Sequence, residues 1–160
     1  MIHHHHRAEG HGHEPRSLNR SALSATAHCL TGCAIGEVLG MTLGTALRLG
    51  NWTTVVVSIG LAFVFGYSLT MVPLLGAGLT LKVAAALAFA SDTASIVLME
   101  IVDNLVMLYV PGAMEAGLST LLFWGSLAAS LVIAGVVAFP LNRWLIARGK
   151  GHAVLHAHHH

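Results

Sequence analysis

The residues of this chain that could do chemistry lie where a chain can least tolerate them. The stretch HCLTGCAIGEVLG places His28, Cys29, Cys33 and Glu37 in a strongly apolar segment. A second apolar segment carries Asp92, Ser95, Met99, Glu100, Asp103 and Asn104. Thiolate, imidazole and thioether suit copper or zinc, and carboxylates neutralise the charge such a metal brings. The same acids and histidine could instead pass protons, as ionisable groups inside membranes commonly do.

Spacing organises both sets. Cys29, Cys33 and Glu37 recur at every fourth residue and share one slowly drifting helix face, with His28 flanking it. Beside them runs a second row, Gly32, Gly36, Gly40 and Gly44, the small-xxx-small pattern that lets another helix backbone approach closely. On the other segment Asp92, Met99, Glu100 and Asp103 fall on one face, and Met107 extends the stripe. An Asp at the centre of a membrane span costs about 2.5–3.5 kcal/mol on insertion scales, so the stripe must face protein, water or a bound cation.

The elements that position these residues are four apolar spans, about residues 22–49, 52–75, 84–110 and 120–146. The chain has 160 residues, 55% hydrophobic and 9% charged, against roughly 25% charged in a soluble domain. Each span exceeds the roughly 20 residues a helix needs to cross a bilayer. Lipid leaves the backbone no hydrogen-bond partner but itself. The expected fold is an all-α integral membrane bundle of four transmembrane helices. Gly50-Asn51, Pro73 with Gly76 and Gly78, and Pro111-Gly112 with Gly117 mark the joints.

Charge sets the expected orientation. Arg7, Arg16, Arg20, Lys82, Arg143, Arg148 and Lys150 fall on one side of an even number of spans, and Arg48 alone on the other. The positive-inside rule then makes both termini cytoplasmic. Trp52, Tyr109 and Trp124 at outer ends and Trp144 at an inner end fit interfacial belts. Residues 1–20 read as a disordered His-rich tail, 21–148 as the transmembrane domain, and 149–160 as a second His-rich tail. The polar start has no apolar core of the kind a secretory signal carries. A net charge of +1 gives no nucleic-acid footprint. No Gly-rich phosphate loop is present, so no nucleotide is expected.

With both termini on one side, the first and third spans run parallel and their polar residues match in depth. His28 and Cys29 lie roughly 9–10 Å along their span, and Asp92 roughly 12 Å along its own, at 1.5 Å per residue. Glu37 and Glu100 both lie roughly 22–24 Å along. Two ladders with matching rungs are expected, His28 and Cys29 with Asp92, and Glu37 with Met99, Glu100 and Asp103.

Four functional readings compete. The leading one is binding or translocation of copper or zinc, with His28, Cys29, Cys33, Glu37, Asp92, Met99, Glu100 and Asp103 as the candidate metal site. His3 to His6, His11, His13, His152, His156 and His158 to His160 would capture metal at the tails. The alternative is a proton- or cation-conducting channel or coupled transporter that uses the acids without the thiols. A dithiol redox site fits poorly, because cysteines four apart in a helix do not meet disulfide geometry. A structural accessory subunit, with Cys29 and Cys33 as small buried residues, is the fourth. None of the leading readings is enzymatic. Four spans are few for a complete transporter built from repeats, which favours an oligomer, a channel or an accessory role; the expected assembly is a homo-oligomer joined through the glycine row.

Long irregular strings of this chain also resemble a known family. They are HCLTGCAIGEVLGMTLGTALRLGNW, LAFVFGYSLTM, SDTASIVLMEIVDN, PGAMEAGL and LLFWGSLAASLVIAGVVAFPLNRWLIARGKGH. Together with the segment that follows, they cover roughly residues 28–156 and look like the bacterial membrane family described as domain of unknown function 4396. AFPLNRWLIARGKGHAVLHAH looks like that family's native ending. The resemblance implies a four-helix membrane bundle; the expected location, a bacterial inner membrane, is read from the spans and their charges. It carries no activity to transfer.

Overall fold

The computed structural model describes residues 15–148, apart from Met114. It contains four helices, α1 (Pro15–Ala46), α2 (Asn51–Gly76), α3 (Leu81–Tyr109) and α4 (Leu121–Ala147), and no strand among the described residues. All four are long and apolar enough to cross a membrane. α1 starts at Pro15, earlier than the apolar span it contains. Proline suits a first helical turn, where its missing N–H would have had no partner.

Short turns make α1, α2 and α3 antiparallel in sequence. α1 closes with Leu49 N–H donating to Gly44 C=O at 2.8 Å and Arg48 N–H to Thr45 C=O at 3.3 Å. Arg48 takes the left-handed conformation this cap requires, with φ 53°. The α2 cap is built the same way, Leu79 to Leu74 and Gly78 to Leu75, and there the left-handed residue is Gly78, φ 86°. The longer α3–α4 connection folds back over the bundle end. It buries Ala113 and Ala116 against Met107, Phe123 and Leu127. Thr120 caps α4 by accepting from Phe123 N–H at 3.2 Å.

The helices form a four-membered ring. α1 packs on α2 and α4, α3 packs on the same two helices, and α1 and α3 face each other across the axis. The end where α1 begins and α4 finishes is called proximal below, and the opposite end distal.

Surface and interior are inverted relative to a soluble protein. Val56, Val64, Val72, Phe89, Val132 and Val136 are exposed, while Thr26, Ser58, Thr70, Asp92, Ser95, Glu100, Asp103, Ser130 and Asn142 are buried. Such an apolar exterior is unfavourable in water and appropriate to hydrocarbon. The chain is therefore a multi-pass membrane protein.

The tightest seam is α1 on α2. α2 buries Thr54, Ser58, Ala62, Gly66, Thr70 and Leu74, one residue in every four. Opposite them sit Gly44, Gly40, Gly36 and Gly32. A methyl group added to Gly32 would lie 2.8 Å from Gly66 Cα, and one on Gly36 would overlap the Ala62 backbone. This corrects the expected use of the row. The glycines are taken up inside the protomer by α2, so they offer no surface for a homo-oligomer. Spacing alone shows that a helix comes close, not which chain it belongs to.

Candidate functional site

The polar interior is divided into levels along the axis. The proximal level joins three helices. His28 of α1 lies with Nε2 3.1 Å from Thr70 Oγ1 of α2. Thr70 donates its hydroxyl hydrogen to Asp92 Oδ2 of α3 at 2.5 Å. Because that hydroxyl has one hydrogen, the His28 contact is Nε2–H donating to Thr70. Ser91 Oγ donates to Asp92 Oδ1 at 2.7 Å, so each oxygen of the buried Asp92 receives a hydroxyl. Nearby, Ser95 donates to Asn142 Oδ1. Asn142 Nδ2 donates to Thr26 Oγ1 at 2.9 Å, which ties α3, α4 and α1 together.

The middle level is apolar. Cys29, Cys33, Ala62, Ile96, Met99, Ala134 and Ala138 form one buried cluster. Both cysteines are free thiols, and their surroundings are mostly hydrocarbon. Cys29 lies within electrostatic range of Asp92, and the Cys33 thiol neighbours the Glu100 carboxyl. No hydrogen bond of good geometry joins the latter two, since neither Glu100 oxygen has a partner.

The distal level gathers the acids. Glu37 of α1 faces Ser58 of α2 and lies within electrostatic range of Glu100 and Asp103 of α3. Ser130 of α4 donates to Asp103 Oδ1. Asp103 Oδ2 and both Glu100 oxygens are buried with no hydrogen-bond partner among the described residues. Glu100 is 4% exposed and Asp103 2%. Buried polar atoms are almost always satisfied, which sets these three carboxyl oxygens apart from the rest of the polar interior.

A cavity of about 210 Å³ leads to this level from the distal end. Arg48, Asn51 and Glu115 stand at its mouth, and Asn51 Nδ2 donates to Glu115 Oε1 at 3.4 Å. Thr54, Asn104 and Met107 line its wall, and Glu37 with Ser58 is its deepest part.

The expected ladders are therefore placed rung against rung. His28 reaches Asp92 through Thr70, and Glu37 stands opposite Glu100 and Asp103. The eight candidate ligands do not converge. They are spread over three levels, with Met99 in the apolar one. Among the described residues, no three His, Cys, Asp or Glu side chains are grouped to hold a metal ion. The histidines of both tails lie outside the described residues. Sequence reasoning missed Thr70, Ser130 and Asn142, which complete the polar levels from α2 and α4. Serine and threonine are common in membrane helices, so only Asn142 carried a signal, as an amide within an apolar span.

Fold and interior together define a class: a four-helix integral membrane protein with a polar, acid-bearing core. Within that class, the family model described as domain of unknown function (DUF4396) matches residues 18–151, and the chain belongs to that family. No curated protein and no solved structure matches the chain.

Proposed function

We propose that this protein carries protons, or exchanges them for a small cation, across a bacterial inner membrane, with Glu37, Glu100 and Asp103 as the exchange site. The observation that supports this reading is the set of carboxyl oxygens on Glu100 and Asp103 that have no hydrogen-bond partner among the described residues, at the level where a cavity of about 210 Å³ reaches Glu37. Ionised carboxylates buried together without donors are costly. Protons or a transient cation relieve that cost, and a site that must gain and lose them belongs on a conduction path.

The orientation is part of the proposal. Among the described residues, Arg20, Lys82, Arg143 and Arg148 stand at the proximal end of the bundle and Arg48 at the distal end. By the positive-inside rule the proximal end is cytoplasmic and the cavity opens outward. Trp144 stacks under Arg148, 4.2 Å from ring centroid to guanidinium carbon, as an interfacial anchor would.

A copper or zinc role draws its support from Cys33 beside Glu100 and from the histidines of the tails. The two readings separate in one pair of measurements. The full chain is reconstituted in liposomes with a trapped pH dye, and a truncated chain lacking both tails is titrated with copper(I) and zinc. Proton flux above that of empty liposomes, lost in Glu100→Gln by at least about tenfold, is the expected result. No flux, together with tight metal binding by the tail-free protein, would favour the metal reading.

A further inference from the structure

The interior contains two polar levels, and the exchange site uses only the distal one. We infer that His28, Thr70 and Asp92 form a second proton site, a relay that loads Asp92 from the proximal half of the membrane and is insulated from the distal acids by the apolar layer. The inference rests on the proposed proton function and extends it to a path with two ends.

The geometry of the relay is directional. His28 is half-buried in the α1–α2 seam, whereas Asp92 is 1% exposed. Thr70 stands between them and can accept from one while donating to the other. As the Nε2–H bond of protonated His28 breaks, its proton bonds to Thr70 Oγ1. The hydroxyl proton leaves Thr70 in the same event and bonds to Asp92 Oδ2. The imidazolium becomes neutral imidazole, the carboxylate becomes a carboxylic acid, and Thr70 remains a hydroxyl. The neutral ring keeps Nδ1–H, so His28 is recharged at Nε2 by a proton from water once the ring has turned from Thr70, and rotation of the Thr70 hydroxyl resets the chain.

The surroundings suit this role. α1 adds Cys29 near Asp92. α2 adds Tyr67, whose hydroxyl is held 2.9 Å from Thr93 Oγ1 of α3. α3 adds Ser91 on the far oxygen of Asp92. α4 brings the amide of Asn142 to this region and no charge, since its arginines lie nearer the helix end, Arg143 donating to Asn19 at 2.8 Å. From Asp92 to Glu100 is eight residues of α3, roughly 12 Å, and Cys33, Ile96 and Met99 fill that interval. A proton on Asp92 cannot pass to Glu100 through hydrocarbon without water or a movement of this layer, and that separates the two ends of the path.

The test is proton flux by the full chain in liposomes under a potassium diffusion potential. Thr70→Val keeps the shape of the side chain and removes the hydroxyl; Thr70→Ser restores it. Flux is expected to fall at least about tenfold in Thr70→Val and to stay within about twofold of wild type in Thr70→Ser, a rescue that a packing role would not produce. Equal flux in Thr70→Val and wild type, while Glu100→Gln is inactive, would overturn the relay and leave the exchange site standing. No flux from the wild type would overturn both. Should Thr70→Val not fold, His28→Ala takes its place. Flux restored by added imidazole supports the relay, and flux indifferent to imidazole overturns it.

Discussion

His28 hydrogen-bonds Thr70 on the same register that seats the glycines of α1 against α2. Gly44 meets Thr54, Gly40 meets Ser58, Gly36 meets Ala62 and Gly32 meets Gly66. His28 and Thr70 are the next pair in the series. One antiparallel seam therefore both packs the hairpin and aims an imidazole at a buried carboxylate. The proximal site inherits its geometry from backbone contact, which is stiffer than any loop.

The closeness of that contact makes glycine substitutions unequal. Gly36→Ala places a methyl group against the Ala62 backbone, which cannot rotate away. It should destabilise the bundle by about 1–3 kcal/mol in a detergent unfolding titration. Gly60 has nothing within 4 Å of an added methyl. Gly60→Ala should be neutral or stabilising by up to about 1 kcal/mol, the helix-propensity gain. Equal losses at both positions would contradict the seam.

Asp103 depends on a single donor. Ser130 serves Oδ1, and Oδ2 has no partner among the described residues. Ser130→Ala leaves the whole carboxyl unserved and should cost about 1–3 kcal/mol. Combined with Asp103→Asn, the loss should be smaller than the sum of the two single losses, because the charge that needed the donor is gone. Strict additivity in that double-mutant cycle would mean the two groups are not coupled.

The cysteines should prove dispensable for proton movement. Cys29 and Cys33 are 2% and 1% exposed and sit in the apolar cluster. Cys29→Ala with Cys33→Ala should leave flux unchanged and cost roughly 1 kcal/mol per site in packing. Native thiols should react with a maleimide only after unfolding. Loss of flux in the alanine pair would return the thiols to the conducting path.

Arg48 holds a left-handed conformation that favours glycine. Arg48→Gly should raise stability by about 1 kcal/mol. It also removes the one cation at the cavity mouth among the described residues, so proton flux should rise with it at low ionic strength and converge with wild type in high salt. A fall in stability would show that the Arg48 side chain does more for the turn than its backbone costs.

The parts of this architecture legible in the sequence were those that break a strong rule. Carboxylates in apolar spans are rare, so Glu37, Asp92, Glu100 and Asp103 declared a shared interior, and equal depth along parallel helices paired them correctly. His28 was harder to place. In sequence it flanks the Cys29–Cys33–Glu37 row, whereas in the structure it completes the glycine row at the same four-residue interval. The glycines predicted a close helix and could not say whose, since spacing within α1 holds no information about its partner. Thr70 and Ser130 were invisible because a hydroxyl in a membrane helix usually bonds its own backbone, as Ser68 does to Val64. Only the third dimension shows which hydroxyls turn to another helix.

The α1–α2 seam also limits how such a chain can vary over descent. One residue inserted in α1 between His28 and Gly44 would turn His28 by about 100° relative to the glycines and away from Thr70. A compensating residue would be needed at the mirrored place in α2. Side chains facing lipid can drift with little penalty, yet the lengths of the two helices between His28 and Thr70 can change only together. Among relatives of this protein, that interval should tolerate many changes of letter and very few changes of length.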